Sequence, residues 1–509
     1  MARGASAAWT INFSLQGVMG VRDKQRSSAG EAETREGLAS VVGSSISRRE
    51  FLKLAGVAGA TVALGAGLGG LLSACGGSTT TTTSAGPATT AGSTTTAGPV
   101  TTSGSTTTAG PTAGRMIKIG YPSPRTGSLA LFGVSDQYCV DRWNEFAKDG
   151  IVCGDGQNHP IQIILEDTQS SSNRASQVAG DLIINQKVDL MMAAGTADTV
   201  PPVADQCEAN SIPCISTNCP WQSYFNSRGG DPKVGFKWTY HFYWGMEDII
   251  GSQIPLWKQA GTNLVYGAMW DNSADGNAYR KAWPAVLEKA GIKLVDGGSF
   301  DPGTEDFTAP ISAFKKGGAD ICAGIMAPND FSNFWKQAKQ QGYKPKIVTI
   351  GKALLFNQVV DALGDLGTGL STPAVWTSKW PFKSSLTGET CQQLADEFEK
   401  RTNKEWQQLI EQYANFEVAV DVLKRAKSVD DKTAILAALT VTKMTTIQGD
   451  IDFTVPFAPN TKRPNPNVYR TPVATGQWVK GTKWPHELAI VGNAGAPEIP
   501  VAGKLELLA

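Results

Sequence analysis

The sequence has no excess of charge of either sign, since 46 Lys and Arg residues are matched by 46 Asp and Glu residues. A basic stripe that could follow a nucleic-acid backbone is therefore not expected, and nucleic acid is not expected as a partner. Histidine is scarce, with only His159, His241 and His486 in the chain. These three stand far apart, so we expect no metal site and no cofactor.

Motifs that mark common hydrolases and nucleotide-binding enzymes are missing from residue 116 onward. The patterns G-x-S-x-G, H-E-x-x-H and G-x-x-x-x-G-K-[ST] do not occur there. A G-x-G-x-x-G pattern occurs at Gly65–Gly70, but no strand–turn–helix unit surrounds it, so it does not predict a dinucleotide site. These absences disfavour catalysis.

An export signal occupies the region before the folded part. Ser47–Lys53 fits the twin-arginine signal, and the apolar run Leu54–Leu72 follows it. The run ends at Leu72-Ser73-Ala74-Cys75, which resembles a lipobox. The resemblance implies cleavage before Cys75, lipidation of its sulfur, and anchoring to the outer face of the cytoplasmic membrane. The alternative is that Leu54–Leu72 is a transmembrane helix.

The composition divides the rest of the N-terminal region. Residues 1–46 are too long for a normal n-region, so they are either a real extension or the result of a mis-set start, and residues 47–75 are the signal and lipobox. Residues 76–115 are almost entirely Thr, Ser, Gly, Ala and Pro, with too little apolar side chain to offset the entropy of ordering. They are a linker of about 40 residues, with a reach of roughly 35 Å.

From Met116 onward, apolar runs of strand length alternate with helical patterns. Ile117–Tyr121 and Ile161–Leu165 are predicted strands, each followed by a helical pattern. The same rhythm restarts after Gly245, and a third stretch from Cys391 to Leu439 is helical. Alternation of this kind predicts an α/β fold with two lobes, each built on a parallel sheet covered on both faces.

The cysteines predict disulfides, because an exported chain reaches an oxidising location. The chain has eight cysteines, and a lipidated Cys75 leaves an odd number. We favour one or two disulfides, with free core cysteines or a metal site as alternatives, and the spacing leaves the pairing open. The candidate disulfide cysteines are Cys139, Cys153, Cys207, Cys214 and Cys219.

Four local patterns occur in the same order as in a known family. They are Pro124–Gly127, Leu131–Gly133, Phe334–Ala338 followed by Gly342-Tyr343, and Gln448–Phe453. With these patterns, residues 117–479 resemble the type I periplasmic binding proteins. The resemblance is to the branched-chain amino acid (Leu/Ile/Val) substrate-binding proteins of ABC transporters in particular.

The resemblance implies two Rossmann-like lobes joined by three crossover segments. Lobe 1 is expected at residues 116–243 plus 374–449, lobe 2 at 244–373 plus 450–485, and a C-terminal tail at 486–509. It also implies that a small-molecule solute binds between the lobes, at the carboxyl ends of the strands, and is passed to an ABC permease after hinge closure. An extracytoplasmic sensor of the same fold and an exported enzyme are the alternative functions.

Candidate ligand contacts follow the predicted strand ends and the first crossover. Their alternative roles are core packing for Phe132, helix capping for Asp198 and Thr199, and hinge packing for Tyr243 and Trp244. The complete set is Phe132, Ala197, Asp198, Thr199, Thr217, Asn218, Tyr243, Trp244, Asp275, Met326 and Lys352.

Two of these positions depart from the family's pattern. Asp275 stands where the amino-acid binders carry an aromatic residue, and Lys352 stands near their acidic residue. A lysine there repels an ammonium and attracts a carboxylate, unless Asp275 pairs with Lys352 and leaves a neutral pocket. We therefore expect a small polar or aromatic solute, either an amino acid, an amide or a carboxylate, with an α-amino acid the least favoured.

Overall fold

The computed structural model describes residues 110–508. The predicted signal, Cys75 and nearly all of the linker lie outside these residues. Between residues 110 and 508, no helix is both long and apolar enough to cross a membrane.

The first lobe begins with alternating strands and helices. The sequence periodicity explains this, since the second helix buries Ala175, Val178, Ala179 and Leu182 on one face. The elements are β1 (Ile117–Ser123), α1 (Asp136–Phe146), β2 (Ile151–Val152), β3 (Asn158–His159), β4 (Ile161–Asp167), α2 (Ser172–Ile184), β5 (Leu190–Ala193), α3 (Val200–Asn210), β6 (Cys214–Ser216), α4 (Trp221–Ser227) and β7 (Thr239–Phe242), with a 3₁₀ helix at Ala130–Gly133.

The second lobe repeats the pattern. Its central strands, such as Ile321–Met326, are nearly continuous apolar runs, as expected for parallel strands covered on both faces. The elements are α5 (Met246–Gln259), β8 (Val265–Trp270), α6 (Ala274–Lys289), β9 (Lys293–Asp296), α7 (Thr308–Gly317), β10 (Ile321–Met326), α8 (Pro328–Gln340), β11 (Ile347–Lys352), α9 (Asn357–Ala362) and β12 (Ser371–Ala374), with 3₁₀ helices at Ala353–Leu355 and Gly364–Gly367.

The remaining chain first returns to lobe 1 and then finishes lobe 2. The elements are α10 (Cys391–Thr402), a 3₁₀ helix at Gln408–Gln412, α11 (Tyr413–Arg425), α12 (Lys432–Thr440), β13 (Lys443–Thr446), β14 (Gly449–Asp452), β15 (Val468–Tyr469), β16 (Ala474–Lys480) and β17 (His486–Gly492). The chain therefore crosses between the lobes three times, after β7, after β12 and between β15 and β16.

The two large sheets have related strand orders. The first is β15-β7-β6-β5-β1-β4, and all of its neighbouring strands are parallel. The second is β17-β16-β12-β11-β10-β8-β9, parallel from β12 to β9 and antiparallel at β16 and β17. The order reverses between β1 and β5 in one sheet and between β8 and β10 in the other, and ligands of such sheets bind at these switch points. This architecture confirms the predicted α/β fold of two Rossmann-like lobes.

The predicted boundary between residues 449 and 450 is wrong. Val468 and Tyr469 pair in parallel with His241 and Phe242 of β7, so the chain stays in lobe 1 until about residue 470. The Pro/Asn-rich loop at 456–466 and the two-residue length of β15 give too weak a strand pattern to place this crossover from sequence.

The predicted C-terminal tail at 486–509 also needs correction. His486–Gly492 forms β17, which pairs antiparallel with β16, and Ile490 is buried. This segment completes the edge of the second sheet.

The expectation of one or two disulfides is wrong for the described residues. Cys139, Cys153, Cys207, Cys214, Cys219, Cys322 and Cys391 are all free and buried. Burial raises the pKa of the Cys139, Cys207 and Cys219 thiols well above the ordinary value, so they are protonated core side chains. The prediction rested on the oxidising destination of the chain and not on spacing, and Cys207 lies close enough to Cys214 for the two thiols to interact.

Candidate functional site

A small cavity lies between the lobes, where the carboxyl ends of strands from the two sheets face each other. Its volume is about 30 Å³, which is room for little more than a water molecule. It is lined by Phe132, Thr196, Asn218, Pro220, Tyr243, Trp244, Ile249, Asp275, Tyr279, Ile325, Gly351, Lys352, Leu355 and Pro373. A larger solute therefore needs the lobes to move apart before it can enter.

Lys352 ends β11 and is the buried cation of the cavity wall. Its Nζ lies 3.1 Å from Oδ2 of Asp275 and 3.4 Å from Oδ2 of Asp198, and it donates to Oγ of Ser273 at 3.1 Å. An ammonium has three N–H donors, and here it makes two hydrogen bonds, to Asp198 and Ser273, beside the ion pair with Asp275. Burial lowers the pKa of Lys352, but Asp275, Asp198 and Asp271 outweigh it and raise the pKa above the ordinary value. Lys352 is therefore charged.

The backbone of Lys352 is strained. Its φ is 58° and its ψ is −72°, a combination that costs free energy for a residue with a side chain. It is the last residue of β11, opposite Met326 of β10. The turn directs the lysine side chain toward the first lobe, where it meets Asp198.

Asp198 connects the lobes from the other side. It follows β5 in lobe 1, and its Oδ1 accepts a hydrogen bond at 3.2 Å from the backbone N–H of Ala274 in lobe 2. Burial raises the pKa of Asp198, but Lys352 and the hydrogen bonds outweigh this and lower it. A second link joins Oγ of Ser223 in α4 to Oδ1 of Asp275 in α6, at 3.0 Å. Lobe 1 is thus bonded directly to lobe 2 around the cavity.

The side-chain amide of Asn218 has no hydrogen-bond partner in the part of the chain that the structure describes. It follows β6 with a positive φ of 66°, a conformation that asparagine tolerates better than most residues. The preceding Thr217 fixes the loop, because its N–H donates to the Ala193 carbonyl and its hydroxyl donates to the Phe242 carbonyl. Asn218 is 4% exposed, and neither Nδ2 nor Oδ1 has a hydrogen-bond partner among residues 110–508.

Trp244 presents the other unpartnered polar group. Its ring is 6% exposed, and its Nε1 has no partner within the part of the chain that the structure describes. The ring lies 4.4 Å from that of Tyr243, whose hydroxyl donates to Oε1 of Glu411 at 2.8 Å. Burial raises the pKa of Glu411 well above its ordinary value.

Several of the predicted contacts come together at this cavity. Phe132, Asn218, Tyr243, Trp244, Asp275 and Lys352 line it. Phe132 also packs edge-on against Phe356 of lobe 2, with ring centroids 5.1 Å apart. Asp198 is not in the lining, but it bonds to Lys352.

The other predicted contacts do not line the cavity. Ala197 and Met326 are buried in the apolar cores, and Thr199 Oγ1 accepts from the Thr196 N–H at 3.3 Å. The Thr217 hydroxyl is directed at the Phe242 carbonyl instead. These residues stand at the right strand ends, but their side chains turn away from the cleft.

Part of the lining was not predicted from the sequence: Pro220, Ile249, Tyr279, Ile325, Gly351, Leu355 and Pro373. Tyr279 had a usable signal, since it lies four residues after Asp275 on the same face of α6. Pro373 and Leu355 had none, because their approach depends on how the lobes pack.

Comparison with known proteins agrees with this architecture. A family model described as "Periplasmic binding protein" matches residues 116–482, and a model of the twin-arginine translocation pathway signal sequence matches residues 45–65. The chain therefore carries an export signal. A search of curated proteins finds no match.

Solved structures of the same fold are numerous. A leucine binding protein from Thermotoga maritima has 18% identity and a TM-score of 0.60, with 74% of this chain and 99% of that chain covered. A solute-binding protein from Rhodopseudomonas palustris, in complex with 3,4-dihydroxybenzoic acid, has 16% identity and a TM-score of 0.58, covering 74% and 96%.

A branched-chain amino acid transporter substrate-binding protein from Streptococcus pneumoniae, in complex with isoleucine, has 16% identity and a TM-score of 0.55, covering 74% and 99%. At these identities the likeness concerns the fold. Because the family model spans most of the chain, from residue 116 to residue 482, the chain belongs to the periplasmic binding protein family and has its type I fold.

Proposed function

We propose that the protein is the solute-binding lipoprotein of an ABC importer. It captures a small polar or aromatic solute between its lobes and delivers it, chemically unchanged, to a membrane permease. The observation that carries the proposal is the cavity between the two lobes, with the buried, unpartnered amide of Asn218 and indole N–H of Trp244 in its wall. Leaving such groups unpaired costs free energy that a bound solute recovers.

Capture follows from the contacts across the cleft. Solute entry requires the Lys352–Asp198 and Ser223–Asp275 contacts to open, and the three crossovers are where the chain can bend. Closure on the solute restores these contacts and adds bonds to the solute itself. The closed form then differs in shape from the open form, which allows a permease to distinguish a loaded protein from an empty one.

A non-catalytic role is supported by the state of the histidine nearest the cleft. Burial lowers the pKa of His241 to about 3. Its ring nitrogens are occupied by Oγ of Ser216 and the carbonyl of Cys219. A neutral, fully bonded imidazole of this kind cannot exchange protons with a solute near neutral pH.

The relatives support a solute rather than a macromolecule. The proteins with the same fold are a leucine binding protein and solute-binding proteins crystallised with 3,4-dihydroxybenzoic acid or isoleucine. Small polar and aromatic solutes are therefore the first classes to test.

The direct test is a thermal-shift screen of the full-length protein against amino acids, amides, ureas and aromatic acids. A solute that binds the native state at 100 times its Kd stabilises the fold by about 2.7 kcal/mol, and it should be recovered unchanged after incubation. If no solute of any class raises the melting temperature, or if a product accumulates, the proposal fails.

The lipid anchor has its own test. Lipidation of Cys75 with more than one acyl chain gives stable membrane attachment, so the wild-type chain should fractionate with membranes. Cys75→Ser should release the exported protein into the soluble fraction. Cys153→Ser, at a buried thiol, is the control and should leave fractionation unchanged. If neither variant is released from the membrane fraction, the lipid anchor at Cys75 is contradicted.

A further inference from the structure

We infer that the cleft selects an uncharged solute group that both donates and accepts hydrogen bonds, such as a carboxamide or a urea, over carboxylates and ammonium ions. This inference rests on the proposed function and specifies the chemistry of its solute. It is carried by two buried polar side chains of the cavity wall, Asn218 and Trp244, which have unpartnered atoms among residues 110–508, and by the pairing of Lys352 with Asp198 and Asp275.

Among residues 110–508, Lys352 is the only cation that lines the cavity, and its ammonium is already paired with protein groups. Lys352 is 5% exposed, and its ammonium donates to Asp198 and Ser273 and forms an ion pair with Asp275. A solute carboxylate could recruit this ammonium only by displacing one of the two aspartates, which would leave a buried carboxylate unpaired. That exchange is unfavourable, because removing one partner of a buried ion pair is strongly destabilising.

The negative charge of the aspartates around Lys352 also disfavours a solute carboxylate. Asp198 and Asp275 lie within 3.4 Å of Lys352 Nζ, so two carboxylates surround one ammonium. Asp271 is also buried nearby, and burial raises the pKa of its carboxyl above the ordinary value. A solute anion would add another negative charge to a site from which water is excluded.

An ammonium ion is not matched either. Oδ1 of Asp275 already accepts from Ser223, and Oδ2 already faces Lys352. A solute ammonium would lie next to the Lys352 ammonium and would compete for the same two carboxylates. Desolvating a charge without a dedicated partner is unfavourable in a closed cavity.

The free groups match a neutral amide. Nδ2 of Asn218 and Nε1 of Trp244 are donors without an acceptor, and Oδ1 of Asn218 is an acceptor without a donor, within the region from residue 110 to residue 508. The carbonyl of a carboxamide accepts from the donors, and its N–H donates to Oδ1. The rings of Phe132, Tyr243 and Tyr279 supply apolar walls for the rest of the solute.

This assignment changes the expected role of Lys352. The sequence analysis offered two alternatives, attraction of a solute carboxylate or pairing with Asp275. The distances from Lys352 Nζ to Asp275 and Asp198 favour the pairing. Lys352 is therefore the contact between the lobes that closes the cleft, and not the group that binds the solute.

The test uses matched probes that differ in charge and hydrogen bonding. Acetamide, acetate and ethylammonium form one set, and benzamide, benzoate and benzylammonium form the other. Titration calorimetry of the full-length protein should show that the amide of at least one set binds at least tenfold more tightly than its charged partners. Tightest binding of an acid or an amine overturns the inference and leaves the proposed function intact.

Variants locate the selection at the named side chains. Asn218→Asp removes the donor and adds a charge, and it should weaken amide binding by at least tenfold. Trp244→Phe keeps a ring but removes the N–H, and it should weaken amide binding about fivefold. Asn226→Asp changes an exposed residue of the neighbouring α4 and should have no effect.

Thermal melts of the same variants establish that they fold, and Trp244→Phe provides the answer if Asn218→Asp does not fold. Unchanged amide binding in a folded variant at either position overturns the inference. If neither amide binds but the wider screen finds another solute, this inference fails alone. If no solute binds at all, the proposed function fails with it.

Discussion

Lys352 joins the two lobes through one buried ammonium that is shared by Asp198 and Asp275. The group is costly to bury alone, and so is each aspartate, but together they neutralise part of the charge. The strained backbone of Lys352 indicates that the surrounding structure holds the side chain in this position.

Removal of this ammonium should destabilise the protein. We expect Lys352→Met to lower the free energy of unfolding by about 3–5 kcal/mol, because two buried carboxylates lose their counter-ion. The control is Lys346→Met just before β11, whose pair with Asp320 is 43% exposed on the lysine side and should be worth less than about 1 kcal/mol. Urea unfolding of both variants measures the difference. Equal losses of unfolding free energy in the two variants would show that the pairing of Lys352 contributes no more than a surface ion pair.

A second residue-scale prediction concerns pH. Burial raises the pKa of the Asp136 carboxyl from 3.8 to about 7, although Tyr121 and Gln412 donate hydrogen bonds to it. The folded state therefore retains a proton that the unfolded state releases near pH 4. The contribution of Asp136 to the free energy of unfolding is therefore most favourable below that pH, and it falls as the pH rises toward 7.

Because of this residue, the free energy of unfolding of the wild type should fall by about 2–3 kcal/mol between pH 5 and pH 8. Asp136→Asn should remove that part of the loss, since the amide stays neutral. Asp141→Asn, at an exposed position of the same helix, should leave the pH dependence unchanged. Urea unfolding at the two pH values is the measurement, and an Asp136→Asn profile parallel to the wild type contradicts the prediction.

The sequence predicted which loops contain the site better than it predicted which side chains face it. Asn218 was found because it follows a strand end, and Asp275 and Lys352 because they depart from the pattern of the family that the chain resembles. Tyr243 and Trp244 were found because five adjacent aromatic rings cannot all enter one core. Thr217 stands beside Asn218, yet its hydroxyl is bonded to the Phe242 carbonyl. The backbone turns at Asn218, whose φ is positive, and the sequence pattern does not specify this turn.

At the scale of elements, the parallel strands were predictable because they are long apolar runs buried on both faces. Strands β5 and β10 are buried throughout. The C-terminal elements were harder, since β15 has two residues and β17 is only half-buried at residues 487–489. Their assignment depends on pairing with distant strands, and the local sequence does not encode that pairing.

Strand β17 gives an element-scale prediction. Removal of residues 486–509 should destabilise the protein by roughly 3–5 kcal/mol, because the packing of Ile490 and Val491, both at most 5% exposed, is lost. The edge of β16 would also lose its partner strand. Removal of residues 504–509 leaves β17 intact and should cost much less. Thermal melts compare the two chains, and identical melting would mean that 486–492 is a dispensable tail.

At the scale of the whole molecule, the cleft is closed by its own side chains. The contacts of Asp198 with Lys352 and Ala274, and of Ser223 with Asp275, bridge the lobes around a cavity of about 30 Å³. Opening must break these contacts, so their strength sets how often an empty protein is open.

Weakening one of these contacts should therefore open the empty protein. We expect Asp198→Ala, which removes the acceptor for both Lys352 and the Ala274 N–H, to give a larger radius of gyration in small-angle scattering. Asp205→Ala removes an exposed partner of Arg228 away from the cleft and should leave the radius unchanged. An Asp198→Ala protein as compact as the wild type would show that other contacts hold the lobes.

The central claim is that a small solute binds between the lobes, and calorimetric titration of a cleft variant tests it most directly. With any solute found by the thermal-shift screen, Trp244→Ala should weaken binding at least about 30-fold, as expected for a buried aromatic contact worth about 2 kcal/mol. Trp484→Ala is the matched control, because this tryptophan bonds to Glu399 outside the cleft, and it should bind like the wild type. Binding that survives Trp244→Ala unchanged, or that is lost equally in both variants, would contradict a solute site between the lobes.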